Sequence, residues 1–163
     1  MTRSPLERAR RLRAHLASPG DLWLLLRILA LATVLPLLLR TLSLPRLLRW
    51  LTPSPVRPGA KAPQPQRIAR LVQRVLGLNR WVYRPNCLKR SLLLFHFLRR
   101  GGQDVRLHIG VRSPGPLHAG AALDGHAWLE LAGAPYLEPQ AAAIGSYRVT
   151  YRYPERAAAD HSP

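Results

Sequence analysis

The chain predicts an α+β fold in which a helical N-terminal half leads into a short antiparallel sheet. Apolar residues recur at helical spacing as far as Arg100, and from Val105 onward they alternate with period two. Pro and Gly clusters at 54–65, 101–102 and 113–125 fall between these periodic segments, where they end one element and open the next.

Taken in order, the first element is the apolar stretch from Leu22 to Leu39, interrupted by Arg27 and with a kink expected at Pro36. Its uninterrupted run, Ile28 to Leu39, is twelve residues, short of the roughly 20 that a membrane span needs. A buried or interfacial helix is therefore expected, with Arg-rich flanks that suit a membrane surface or a partner. Residues 54–65 form a Pro-rich linker, and beyond it Ile68, Leu71, Val72, Val75 and Leu76 mark an amphipathic helix. These divisions predict an N-terminal extension over 1–55, a catalytic domain over 56–157 and a polar tail over 158–163.

The next helix has both of its ends written in the sequence. Pro85 disfavours helix at the residue before it, Asn86 is a good N-cap, and Cys87 to Arg100 follows without interruption until Gly101-Gly102 closes it. Leu88, Ser91, Leu92, Phe95 and Leu98 make its apolar stripe. Strands are then expected at Val105–Arg112, at His126–Leu131, at Tyr136–Glu138 after an Ala132-Gly133 turn, and at Tyr147–Tyr153.

Cys87 is the single cysteine, and it falls in the first turn of its helix. There the unpaired N–H groups, the macrodipole and the neighbouring Lys89 and Arg90 favour a thiolate, which is the nucleophilic form. His126 comes 39 residues later and Glu138 twelve beyond it, so the three read as nucleophile, base and orienting carboxylate. A hairpin centred on Ala132 sets Glu138 opposite His126, whereas one centred a residue later sets it opposite Trp128. Asp124 and Glu130 are rival acids, although Glu130 lies four residues along the strand from His126, about 13 Å at strand rise. His96 is expected to pack, His108 to alternate outward, and His15, His118 and His161 to lie in loops or terminal segments. No spacing suggests a metal site and no Gly-rich loop suggests a nucleotide, so no cofactor is expected.

The segments Cys87-Leu88-Lys89-Arg90-Ser91-Leu92, Leu98-Arg99-Arg100-Gly101-Gly102 and His126-Ala127-Trp128-Leu129-Glu130 resemble the lasso-peptide leader peptidases. These B-type maturation proteases belong to the transglutaminase-like branch of the papain-type cysteine enzymes. The resemblance implies a helix bearing the cysteine packed on an antiparallel sheet bearing histidine and acid. It also implies Cys87, His126 and Glu138 as the catalytic set, with Glu138 standing where the family ordinarily has aspartate. A ribosomally made precursor peptide would be the substrate, a separate leader-recognition protein would deliver it, and a lasso cyclase would use the released amine. No leader-recognition domain is apparent in these residues, in keeping with a separate partner chain.

Composition bounds the alternatives. The net charge is +17, and 23 of the 25 basic residues are arginine. No aromatic residues are interleaved with that charge in a nucleic-acid module, so an acidic peptide or an anionic membrane surface is the expected counterpart. One cysteine excludes an internal disulfide, and no cleavable signal peptide is evident, which makes the cytoplasm the expected compartment. A non-proteolytic scaffold of the same fold and a transglutaminase-type acyltransferase are the competing classes.

Overall fold

The computed structural model describes residues 19–53, 63–78, 86–113, 124–138 and 141–155. Its helices are α1 (Pro19–Thr41), α2 (Leu44–Leu51), α3 (Pro65–Leu76), α4 (Cys87–Arg100) and the single turn α5 (Ala141–Ile144). The strands are β1 (Val105–Arg112), β2 (Asp124–Leu131), β3 (Ala134–Tyr136) and β4 (Arg148–Tyr153). They form one antiparallel sheet in the order β3-β2-β1-β4. The expected α+β architecture is therefore present, with a helical layer on one face of the sheet.

Helix α4 is the centre of the fold. Leu92, Leu93, Leu94, Phe95, Phe97 and Leu98 are all buried, so this helix is covered on more than the one stripe expected of it. On one side it meets Val105, Leu107 and Leu129 of the sheet; on the others it meets α1, α2 and α3. The Ser91 hydroxyl donates to the Ala127 carbonyl at 2.9 Å, tying the helix to β2 where both are buried. Phe95 meets Tyr153 of β4 edge to face at 5.8 Å.

The apolar N-terminal stretch forms the expected helix, and it runs through Arg27 and Pro36 as one continuous element of 23 residues. Proline removes one backbone donor, but helix on both sides and packing on one face hold α1 through that gap. Ile28, Ala32 and Leu35 join the same core as α4, and Asp21 in the first turn pairs with Arg67 of α3. The opposite face of α1 is open to solvent.

Alternation along β1 and β2 sends Val105, Leu107 and Leu129 to the helices and Gly110, His126 and Trp128 to the other face. His108 leaves the helix side as expected of an outward residue, yet it is buried because Trp128 stacks over it at 5.6 Å. The β2–β3 connection is a two-residue turn with Ala132 at φ 52° and Gly133 at φ 82°, both left-handed. Leu129 therefore faces Tyr136 and Leu131 faces Ala134, a register that lies between the two considered from the sequence.

Candidate active site

Cys87 is the first residue of α4. Asn86 caps the helix with extended backbone, and its side-chain oxygen accepts from the Lys89 N–H at 2.6 Å. One orphan donor of the first turn is thus satisfied, and the N–H groups of Cys87 and Leu88 have no intrahelical partner. The sulfur lies 4.0 Å from the carbonyl oxygen of Gly125, the residue before His126. The structure thus sets the helix start against the start of β2, without a hydrogen bond between Cys87 and the imidazole.

His126 and Glu138 do come together: Nε2 is 3.3 Å from Oε2, and the Glu138 side chain is only 7% exposed. Continuing the β2–β3 register would set Glu138 beside Ala127, but β3 ends at Tyr136. Leu137 takes φ 53°, a left-handed conformation that β-strands do not contain, and this turns the chain so that Glu138 meets the ring. Both rival carboxylates have other partners. Asp124 receives the Tyr147 hydroxyl and an Arg112 N–H, each at 2.7 Å. Glu130 lies 3.7 Å from Arg106 and 3.3 Å from His108.

The imidazole is walled by aromatic rings. Trp128 stacks on it at 5.9 Å with 18° between the planes, and Tyr147 leans against it at 5.3 Å. Directly opposite His126 on β1 is Gly110, where a Cβ would come within 3.1 Å of both Trp128 and Tyr147. The close approach of these two rings depends on that missing side chain. Arg112 lies over the Tyr147 ring at 4.8 Å. The Tyr147 hydroxyl and Arg112 together hold the Asp124 carboxyl below the usual carboxylate range, and Asp124 in turn raises the Tyr147 phenol.

Of the other histidines, His96 packs as expected, its Nδ1 2.7 Å from the Leu51 carbonyl oxygen. Burial lowers its pKa, and burial likewise lowers that of His108, outweighing the upward pull of Glu130. The His108 Nε2 approaches Glu130 without hydrogen-bond geometry and is otherwise unpartnered. His15, His118 and His161, like the linker at 54–62, lie outside the described residues. Among the described residues, no three His, Cys, Asp or Glu side chains gather as metal ligands would.

Sequence reasoning did not single out Gly110, Arg112 or Tyr147. Alternation along β1 would have placed Gly110 and Arg112 on one face, but Tyr147 precedes β4 and reaches His126 only through tertiary structure.

A helix-borne thiol set against the strand that carries an imidazole and its carboxylate defines a class of α+β proteins built around a central cysteine helix. Residues 29–152 match the family model of the transglutaminase-like superfamily, and the chain belongs to that superfamily. Its members include cysteine peptidases and acyltransferases. No curated protein and no solved structure matches the chain significantly.

Proposed function

We propose that this protein is a cysteine peptidase that removes the leader from a ribosomally synthesised lasso-peptide precursor. The observation that carries the reading is the contact of His126 with Glu138 at 3.3 Å on the strand whose start receives Cys87. The family membership supports the chemistry, and the Cys-Leu-Lys-Arg-Ser-Leu and His-Ala-Trp segments support the substrate.

The charge of a carboxylate 3.3 Å from Nε2, an ion-pair approach outside hydrogen-bond geometry, favours the tautomer with its proton there, which leaves the Nδ1 lone pair as the base. In the proposed reaction Nδ1 takes the Cys87 proton and the sulfur attacks the scissile carbonyl carbon. The C–S bond forms as the carbonyl π electrons move to oxygen, and the free N–H groups of the first α4 turn receive that oxyanion. Collapse breaks the C–N bond, and His126 returns the proton to the departing amine of the core peptide. Water, deprotonated by His126, then cleaves the thioester to give a leader carboxylate and restore the thiol. Glu138 holds the ring and stabilises the imidazolium formed in each half. A separate leader-recognition protein presents the precursor, and a cyclase consumes the freed amine.

The test is mass spectrometry of a lasso precursor incubated with this chain and a leader-recognition protein, with and without an added primary amine. A leader ending in a free carboxylate is expected, and Cys87→Ala is expected to leave the precursor intact. Incorporation of the amine would favour acyl transfer, and normal cleavage by Cys87→Ala would overturn the reading.

A further inference from the structure

Helix α1 presents solvent with an apolar stripe that the peptidase reading does not use. Trp23, Leu26, Val34 and Leu37 follow one another at helical spacing over about 21 Å of axis, and all are exposed, Trp23 and Leu37 by 61%. Trp50 of α2, equally exposed, extends the patch sideways. Between them lies an open cleft of about 480 Å³ lined by Arg27, Leu31, Val34, Trp50, Phe97 and Arg100. Among the described residues neither of these two arginines is paired with a carboxylate. From residue 19 to 53 the chain holds four arginines and a single acid, Asp21, which is already taken by Arg67.

We propose that this face docks in the plane of a lipid bilayer carrying anionic phospholipid, its apolar stripe entering the headgroup boundary and Arg27 and Arg100 meeting lipid phosphates. By length and apolarity Gly20–Thr41 is able to cross a membrane, with a mean hydropathy of 2.4. A span would strip Ile28, Ala32 and Leu35 from α3 and α4, where they are at most 3% exposed, and would break the Asp21–Arg67 pair. Lying flat keeps that inner face in the core and wets only the outer one. Tryptophan at one end of the patch, Trp23, and at its side, Trp50, suits the membrane interface, where the ring is apolar and its N–H stays hydrated. Charge selects the partner. Two copies pressed together through this face would each bring a net charge of +17 and these arginines into apposition, whereas an anionic leaflet neutralises them.

The proposal is independent of catalysis and is tested on the full chain by sedimentation with vesicles. Phosphatidylcholine vesicles doped with phosphatidylglycerol are expected to retain the protein, and phosphatidylcholine alone is not. Arg27→Gln and Arg100→Gln are each expected to weaken partition about fivefold. Leu26→Glu/Leu37→Glu, at exposed positions, is expected to abolish binding with an unchanged melting curve. Brominated lipid is expected to quench tryptophan fluorescence in the unaltered chain, and the quenching to fall in Trp23→Phe/Trp50→Phe. Failure to bind anionic vesicles, or absence of quenching, overturns the proposal. So does resistance to extraction by high salt and alkaline carbonate, which marks a span, and so does a discrete dimer that Leu26→Glu/Leu37→Glu dissociates.

Discussion

Glu138 reaches His126 at 3.3 Å although the strand pairing before it points toward Ala127. The left-handed Leu137 between them does the redirecting, so the contact belongs to the end of β3 as much as to the two side chains. Because Glu138 is buried beside the ring, its charge acts through little solvent. Glu138→Gln is expected to lower kcat by about 10²–10⁴-fold while leaving residual cleavage, since size and an acceptor are kept but imidazolium loses its counter-charge. Glu138→Asp restores the charge with a shorter reach and should fall between the two, as steady-state kinetics on the cognate precursor will register.

Cys87→Ala and His126→Ala are expected to be absolute in the same assay. Cys87 sits half-buried at a helix start and makes only a long contact to Gly125, so its truncation should cost less than about 1 kcal/mol. Thermal unfolding of Cys87→Ala within a few degrees of the parent, together with intact precursor, is the outcome that assigns the cysteine to chemistry. A parent-like rate would remove it from the mechanism.

Helix α4 was legible to the residue because its signals are local: Asn86 caps it and Gly101-Gly102 ends it, and neither depends on distant contacts. Strand β1 was equally legible, since alternation from Val105 to Arg112 is the pleat itself. Helix α1 was legible as an apolar helix, but its unbroken continuation past Arg27 and Pro36 was not, because those residues weaken it locally while packing of Ile28, Ala32 and Leu35 against α3 and α4 sustains it. Hairpin register also escaped the sequence. Ala132 in a left-handed conformation is costly by itself, and only the finished two-residue turn reveals why it is adopted. Of the candidate site, the placement of Cys87 at a helix start and of His126 on a strand was legible from local signals, and the support of Gly110 and Tyr147 across the sheet was not.

Gly110 is the test of that support. A methyl group there would come within 3.1 Å of Trp128, of Tyr147 and of the Arg148 carbonyl oxygen, and the carbonyl has no freedom to withdraw. Gly110→Ala is therefore expected to cost about 1–3 kcal/mol by overpacking, read as a lower denaturation midpoint. It should also displace the rings flanking His126, so kcat is expected to fall further than the change in folded fraction explains. A variant as stable and active as the parent would show that the rings do not need their present positions.

Two histidines, His108 buried and His96 partly so, set a pH dependence of stability. Burial lowers the pKa of both His96 and His108, so the unfolded chain takes up protons first as pH falls through about 6.5. Their contribution is thus present above that value and is lost as pH drops through the lowered folded values. Melting temperature is expected to decline on going from neutral toward mildly acidic buffer. His108→Phe retains a ring against Trp128 but cannot be protonated, and it should flatten that decline; an unchanged slope would exclude His108 as a contributor.

Asp124, Tyr147 and Arg112 form the arrangement most easily mistaken for part of the proposed triad, and graded substitution separates the two. Tyr147 touches the imidazole with its ring and Asp124 with its hydroxyl, so Asp124 reaches His126 through Tyr147 and, more weakly, through the attraction of their charges. Tyr147→Phe keeps the wall and loses one exposed hydrogen bond, and a change of a few-fold in kcat is expected. Tyr147→Ala removes the wall and should cost more, about tenfold or beyond, with kcat affected more than KM because what is lost is the position of the imidazole. Asp124→Asn should resemble Tyr147→Phe. Asp124 is held below the usual carboxylate range by Tyr147 and Arg112, so its stabilising effect is present above the ordinary carboxylate pKa and is lost as pH falls through the lowered one. Exposure to solvent keeps that effect small, and acid should therefore erase the difference between Asp124→Asn and the parent. Should Asp124→Asn cripple cleavage at neutral pH while Glu138→Gln is silent, the carboxylate that orients His126 is Asp124, and the contact made by Glu138 is structural.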